Sequence, residues 1–150
     1  MPYVKLLYHI VFRTKYSKPV LTQAHERLLY SYIYSFIKNK GGFTHRMGGM
    51  PDHIHILAEI PPTIAISDFM RIMKVSTSIF LKQNAQLFPY FEGWANSYCA
   101  LTYSEMEKEK IINYIKKQKE HHKKTILADE IRTLLQESKT PYNEEYFLKD

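Results

Sequence analysis

His53 and His55 stand two residues apart in Asp52-His53-Ile54-His55-Ile56-Leu57. On a strand the side-chain period is two, so the imidazoles take one face and Ile54 and Ile56 the other. If the isoleucines fill a core, the histidines share an open face at a spacing suited to chelating one divalent ion. Seven histidines in 150 residues also make an accidental or merely structural pair a competing explanation. Tyr114 and Gln118 form a second group, four residues apart and so one turn apart on one helix face. A glutamine carbonyl is a competent oxygen ligand for Mg2+ or Mn2+, and a phenol beside it could be a nucleophile. Composition alone favours an ordinary half-buried aromatic, one of twelve tyrosines, beside a solvated glutamine. His121 and His122 are further metal candidates, or surface histidines near a lysine-rich helix end.

Periodicity supplies the elements that must position these groups. Residues 3–12 are rich in β-branched and aromatic types and read as a strand. From Thr22, apolar residues recur at three and four through Leu28, Leu29, Tyr32, Ile33, Phe36 and Ile37, predicting a helix that Gly41-Gly42 ends. Residues 43–47 and 53–60 predict two strands joined through Gly48-Gly49-Met50-Pro51-Asp52. Ser67 can cap a second helix with the face Phe69, Ile72, Met73, Ser76, Ile79 and Phe80. Residues 94–102 predict a fourth strand, and 105 to about 124 a third helix with glutamates first and lysines last. The tail is polar, with Leu134, Leu135, Tyr146 and Phe147 as docking points. The order β-α-β-β-α-β-α predicts an α+β, ferredoxin-like or RRM-like sandwich, an antiparallel sheet with helices packed on it.

Length and composition exclude several classes. The chain has the size of one domain, 1–150, with 45% apolar and 24% charged residues. No apolar run approaches the ~20 residues of a membrane span, and Met1-Pro2-Tyr3-Val4-Lys5 does not start a signal peptide, so a cytoplasmic location without membrane contact is expected. One cysteine, Cys99, excludes an intrachain disulfide and reads as a buried strand residue. No phosphate loop, dinucleotide fingerprint or serine-esterase elbow is present. The net charge of +6 is uneven: residues 1–50 carry eight Lys or Arg against Glu26 alone. Such a face suits a polyanion, or is simply a solvated basic surface.

Three stretches in order, Tyr8-His9-Ile10-Val11-Phe12-Arg13-Thr14-Lys15-Tyr16, Met50-Pro51-Asp52-His53-Ile54-His55-Ile56-Leu57 and Tyr114-Ile115-Lys116-Lys117-Gln118, resemble the single-tyrosine transposases of the His-hydrophobic-His ("HUH") endonuclease superfamily. That family is carried by bacterial insertion sequences of the IS200 type and includes the REP-associated tyrosine transposases. The likeness covers about residues 3–124, taken as the catalytic part, and leaves a tail, 125–150. No position departs from the motif pattern.

The resemblance implies a transposase that cleaves and rejoins single-stranded DNA through a 5′-phosphotyrosine, with Mg2+ or Mn2+. It implies Tyr114 as nucleophile and His53, His55 and Gln118 as metal ligands. It further implies DNA at hairpin-flanked element ends as partner, a homodimer whose sites are shared between subunits in several members, and activity at the bacterial nucleoid. Basic and aromatic residues interleave in 3–16, which suits stacking on bases and neutralising phosphates; Arg13, Lys15, Tyr16 and Lys117 are the candidate DNA contacts. The alternatives are a non-catalytic RRM-like nucleic-acid-binding protein and a metal-dependent phosphodiester hydrolase using His53 and His55.

Overall fold

A computed structural model describes residues 3–121, 126–144 and 147–148. Strands β1 (Leu7–Thr14), β2 (Phe43–Met50), β3 (His53–Glu59) and β4 (Trp94–Tyr103) form one sheet in the order β2-β3-β1-β4, every neighbouring pair antiparallel. Helix α1 (Glu26–Asn39) links β1 to β2, and α2 (Ile66–Gln83) links β3 to β4. This is the expected ferredoxin-like α+β arrangement.

Both crossover helices cover one face of the sheet, and that face is apolar. Ile10 and Phe12 of β1 and Ile54 and Ile56 of β3 meet Leu29, Ile33 and Ile37 of α1 and Phe69, Met70 and Met73 of α2. The α1 triplet recurs at four, which lays one continuous stripe on the sheet. Trp94 closes one end, and its indole N–H donates to Thr77 Oγ1 at 2.9 Å, so burial leaves that donor satisfied.

The other face carries α3 (Lys108–Lys116), α4 (Gln118–His121) and α5 (Leu127–Glu137). Ile111 and Ile115 of α3 pack on Leu7 and Leu57. Leu127, Ile131 and Leu134 of α5 pack on Val11 and Leu101.

Several expectations change. The helix expected over 105–124 is broken: a 3-10 turn, Glu105–Glu107, is closed by reciprocal capping between Ser104 and Glu107, and Lys117 leaves helical geometry before α4. The polar tail contains a helix, α5, whose buried face is Leu127, Ile131 and Leu134 with Glu130 among them. The second helix begins after Ala65 without a side-chain cap, so Ser67 already lies inside it. The first strand starts at Leu7. The link between β2 and β3 is only Pro51-Asp52, because β2 runs through Gly48-Gly49 to Met50. Glycine is required at 49, where a Cβ would lie 2.3 Å from the His53 carbonyl oxygen. His122, Tyr146 and the side chain of His121 lie outside the described residues. Among the described residues no helix is long and apolar enough to cross a membrane.

Candidate active site

Strand β3 alternates as its sequence requires. Ile54 and Ile56 enter the apolar core, while His53 and His55 face α3 and α5. The expectation of an open histidine face is corrected, because both imidazoles are fully buried. The tail helix α5 supplies the cover that a polar tail did not predict.

Each imidazole is oriented from behind through Nδ1. Asp52 Oδ1 lies 2.7 Å from His53 Nδ1, and the Asp52 carbonyl accepts the Thr14 backbone N–H at 2.9 Å, which ties the turn to β1. The carboxylate contact fixes the ring through Nδ1 and directs Nε2 to the interior. His55 Nδ1 is 2.9 Å from His9 Nε2, and the two rings stack with centroids 5.1 Å apart. Burial first, and the neighbouring His55 second, push the His9 imidazole down to about 3, so His9 is neutral at pH 7.

Tyr114 and Gln118 converge despite the break at Lys117. Gln118 Nε2 donates to Glu130 Oε1 at 2.7 Å, and the Tyr114 hydroxyl donates to the same oxygen. The fixed amide then turns its carbonyl toward His53, with Gln118 Oε1 3.4 Å from His53 Nε2. His55 Nε2 lies 3.1 Å from Glu130 Oε1. The Tyr114 ring meets the His55 ring edge-on at 5.7 Å. Burial, and then the charge of Glu130, raise the Tyr114 phenol above its ordinary value and hold it protonated.

The donor set suits a divalent cation. His53 Nε2, the Gln118 carbonyl and the Glu130 carboxylate converge in one buried place, with the carboxylate held there by the Tyr114 and Gln118 donors, so nitrogen and oxygen ligand atoms are gathered before any cation enters. Ligand atoms of His53, His55 and Glu130 lie within 4.8 Å of one another. A mixed nitrogen and oxygen set with one negative charge is chemically competent for Mn2+ or Mg2+.

Sequence reasoning singled out His53, His55, Tyr114 and Gln118, and the structure brings all four together. It missed Glu130 and His9. Glu130 had a signal: it sits on the same face as Leu127, Ile131 and Leu134, where a carboxylate has no business unless something polar faces it. His9 lies in a quoted motif, but its neighbour depends on the β1–β3 register, which sets Val11 opposite His55 and His9 opposite Leu57.

The candidate DNA contacts separate. Arg13 is buried, its guanidinium donating to Ser17 Oγ and the Leu148 carbonyl, so it is not presented at the surface as expected. Lys15 and Tyr16 are exposed beyond the end of β1, the ammonium 5.5 Å from the ring centroid. Lys117 is exposed where α3 ends.

Comparison with known proteins gives the same identity from several directions. Residues 2–118 match the family described as transposase IS200-like. The chain is 32% identical over 118 residues to the ISDra2 transposase TnpA of Deinococcus radiodurans, covering 76% of this chain and 84% of the relative. It is 34% identical over 120 residues to the transposase for insertion sequence element IS200 of Salmonella typhimurium, covering 77% and 78%. A crystal structure described as a Deinococcus radiodurans transposase matches at 30% identity with a TM-score of 0.59, over 79% of this chain and 95% of that one. A REP-associated tyrosine transposase bound to a REP hairpin matches with a TM-score of 0.54 over 77% and 67% of the chains, at 14% identity, a likeness of fold alone. The sheet, the buried histidine pair on β3 and the tyrosine-bearing helix beside it therefore sit in a chain that belongs to the IS200-like transposases, enzymes that act on DNA.

Proposed function

We propose that the protein cleaves and rejoins single-stranded DNA through a 5′-phosphotyrosine at Tyr114, with Mg2+ or Mn2+ held by His53, His55 and Gln118 and joined by Glu130. One observation carries this: within a single chain, the Tyr114 hydroxyl and the Gln118 amide share one buried carboxylate that also meets His55. When bound, the ion would polarise the scissile phosphate and offset charge as it develops. His53 and His55 act as neutral rings, their Nδ1 protons directed to Asp52 and His9 so that both Nε2 atoms face inward.

Tyr114 Oη attacks phosphorus, and the bond to the 3′-oxygen breaks, leaving a 3′-hydroxyl and a phosphotyrosine. Glu130 accepts the hydrogen bond from the attacking hydroxyl and is placed to take its proton. A second 3′-hydroxyl then attacks the phosphotyrosine, which restores the phenol and joins the strands. The phosphodiester energy is kept in the covalent bond, so no ATP is needed. Lys117, Lys15 and Tyr16 are proposed DNA contacts at element ends flanked by hairpins. The site is read as one unit spanning the catalytic part and the tail of a single domain. We place it at the nucleoid in the bacterial cytoplasm, as a homodimer. Mixing Tyr114→Phe with His53→Ala subunits tests sharing of sites between copies.

The decisive test uses labelled single-stranded DNA with Mn2+ and detects the protein–DNA adduct on a denaturing gel. Tyr114→Phe keeps the ring and is expected to bind the strand but form no adduct. An adduct at the normal rate through another tyrosine refutes the assignment.

A further inference from the structure

A groove of about 1040 Å3 runs along the outer edge of β2, with α1 as one wall and the end of α3 with α4 as the other. Gln118 lines it together with Gly48 and Gly49, so the groove shares one residue with the active site. We infer that this groove is the track along which a single DNA strand runs into the site, an inference that rests on the reading proposed above.

Three independent features support that occupant. First, the groove is basic from several sides: Arg27 of α1, Arg46 of β2 and Lys116 and Lys117 at the end of α3 all line it and are exposed. Of its acids, Glu26 is already taken by Lys119 at 2.8 Å, which leaves Glu120 among the described lining residues. Cations on separate elements facing one trough suit a chain of phosphates better than one isolated anion. Second, Tyr30 and Tyr34 stand one turn apart on the α1 wall, and Tyr34 is 46% exposed. Aromatic rings among cations are the stacking platform that unpaired bases use.

Third, the edge of β2 is shaped against its other obvious occupant, a strand from a second copy. Its pairing with β3 shifts between Thr44 and Arg46, a bulge at His45, and Gly48-Gly49 follow at once. A bulged, charged, glycine-rich edge is a poor template for strand addition. The groove therefore offers phosphate and base contacts while withholding a regular ladder.

The test measures fluorescence anisotropy of a labelled oligothymidine on the full chain, from 50 to 200 mM salt. Each phosphate contact on a single strand contributes about −0.7 to the log–log salt slope. The triple variant Arg27→Gln, Arg46→Gln, Lys116→Gln changes exposed side chains only, and is expected to flatten that slope by about 2 and weaken binding at low salt. Tyr34→Ala is expected to weaken binding roughly tenfold with the slope unchanged, which separates stacking from charge. Unchanged affinity and slope in both variants overturn the groove. If Tyr114→Phe has meanwhile abolished the adduct, the strand-transfer reading survives that failure. Loss of self-association in sedimentation with DNA binding intact makes the groove an interface between copies, and also overturns it. An unaltered protein that binds no oligothymidine overturns both.

Discussion

The two faces of the sheet are built from the same strands and do opposite things. On one, Ile54 and Ile56 lie under α1 and α2 in a dry apolar core. On the other, one residue away in each case, His53 and His55 lie under α3 and α5 with Glu130 and Gln118, equally buried. The first face gains stability by removing apolar surface from water. The second buries a carboxylate and polar rings, which costs free energy unless every group is paired. Its hydrogen bonds return part of that cost, and two apolar clusters, Leu7 and Leu57 with α3 and Val11 and Leu101 with α5, bind the covering helices to the same strands. The chain thus spends one face of its core on holding chemistry in place.

Replacing one residue from each face tests this division directly. Ile54→Ala is expected to lose about 2–5 kcal/mol of stability, a large part of the about 5–15 kcal/mol typical of a domain. It should keep its response to Mn2+, a gain of about 2.7 kcal/mol when the ion is at a hundred times its dissociation constant. His55→Ala should lose that response altogether. Denaturant titrations with and without Mn2+ measure both quantities. Equal loss of the Mn2+ response in the two variants would erase the distinction between the faces.

The alternation of β3 and the helical stripe of α1 are local patterns, so 53–60 and 28–37 revealed a strand and a helix without the structure, whereas β2 runs three residues beyond the 43–47 expected for it and α1 begins only at Glu26. Gln118 and Tyr114 were legible through the family resemblance, not through helix periodicity: the helix expected to carry both breaks at Lys117, and they meet instead at Glu130. The rest depended on long-range register. His9 reaches His55 only because β1 pairs with β3 as it does, 46 residues away in sequence. Glu130 was hidden by net charge: the tail reads as polar, although Leu127, Ile131 and Leu134 already mark a buried stripe with Glu130 on it. A composition average cannot see one carboxylate pointing inward.

The His9 contact gives a prediction intermediate in size. His9→Leu keeps a similar volume but removes the acceptor for His55 Nδ1, so the His55 ring loses the partner that holds its proton away from Nε2. Mn2+ affinity, read by electron paramagnetic resonance of the free ion, is expected to fall about 10- to 100-fold. His9→Gln restores an acceptor and should recover part of that loss. Leucine that binds Mn2+ as tightly as histidine would make His9 a packing residue, and the two faces would then differ less than their chemistry suggests.

The smallest effect concerns how α5 is held down, by its leucines or by Glu130. Cys99 reports on this, because it packs against the cluster formed by Leu127, Ile131 and Leu134. Burial pushes its thiol from 9.0 up to about 11. At pH 8 that leaves about one thiolate in a thousand where the ordinary thiol has about one in ten, so alkylation should run roughly a hundredfold slower than for a free cysteine. Glu130→Ala removes the carboxylate to which Gln118 and Tyr114 donate, while its apolar neighbours on α5 remain. If those polar contacts help seat the helix, Cys99 alkylation in this variant accelerates several-fold. An unchanged rate would show that the leucines alone hold α5, so that the carboxylate serves chemistry only and the cover over the histidines owes nothing to the site beneath it.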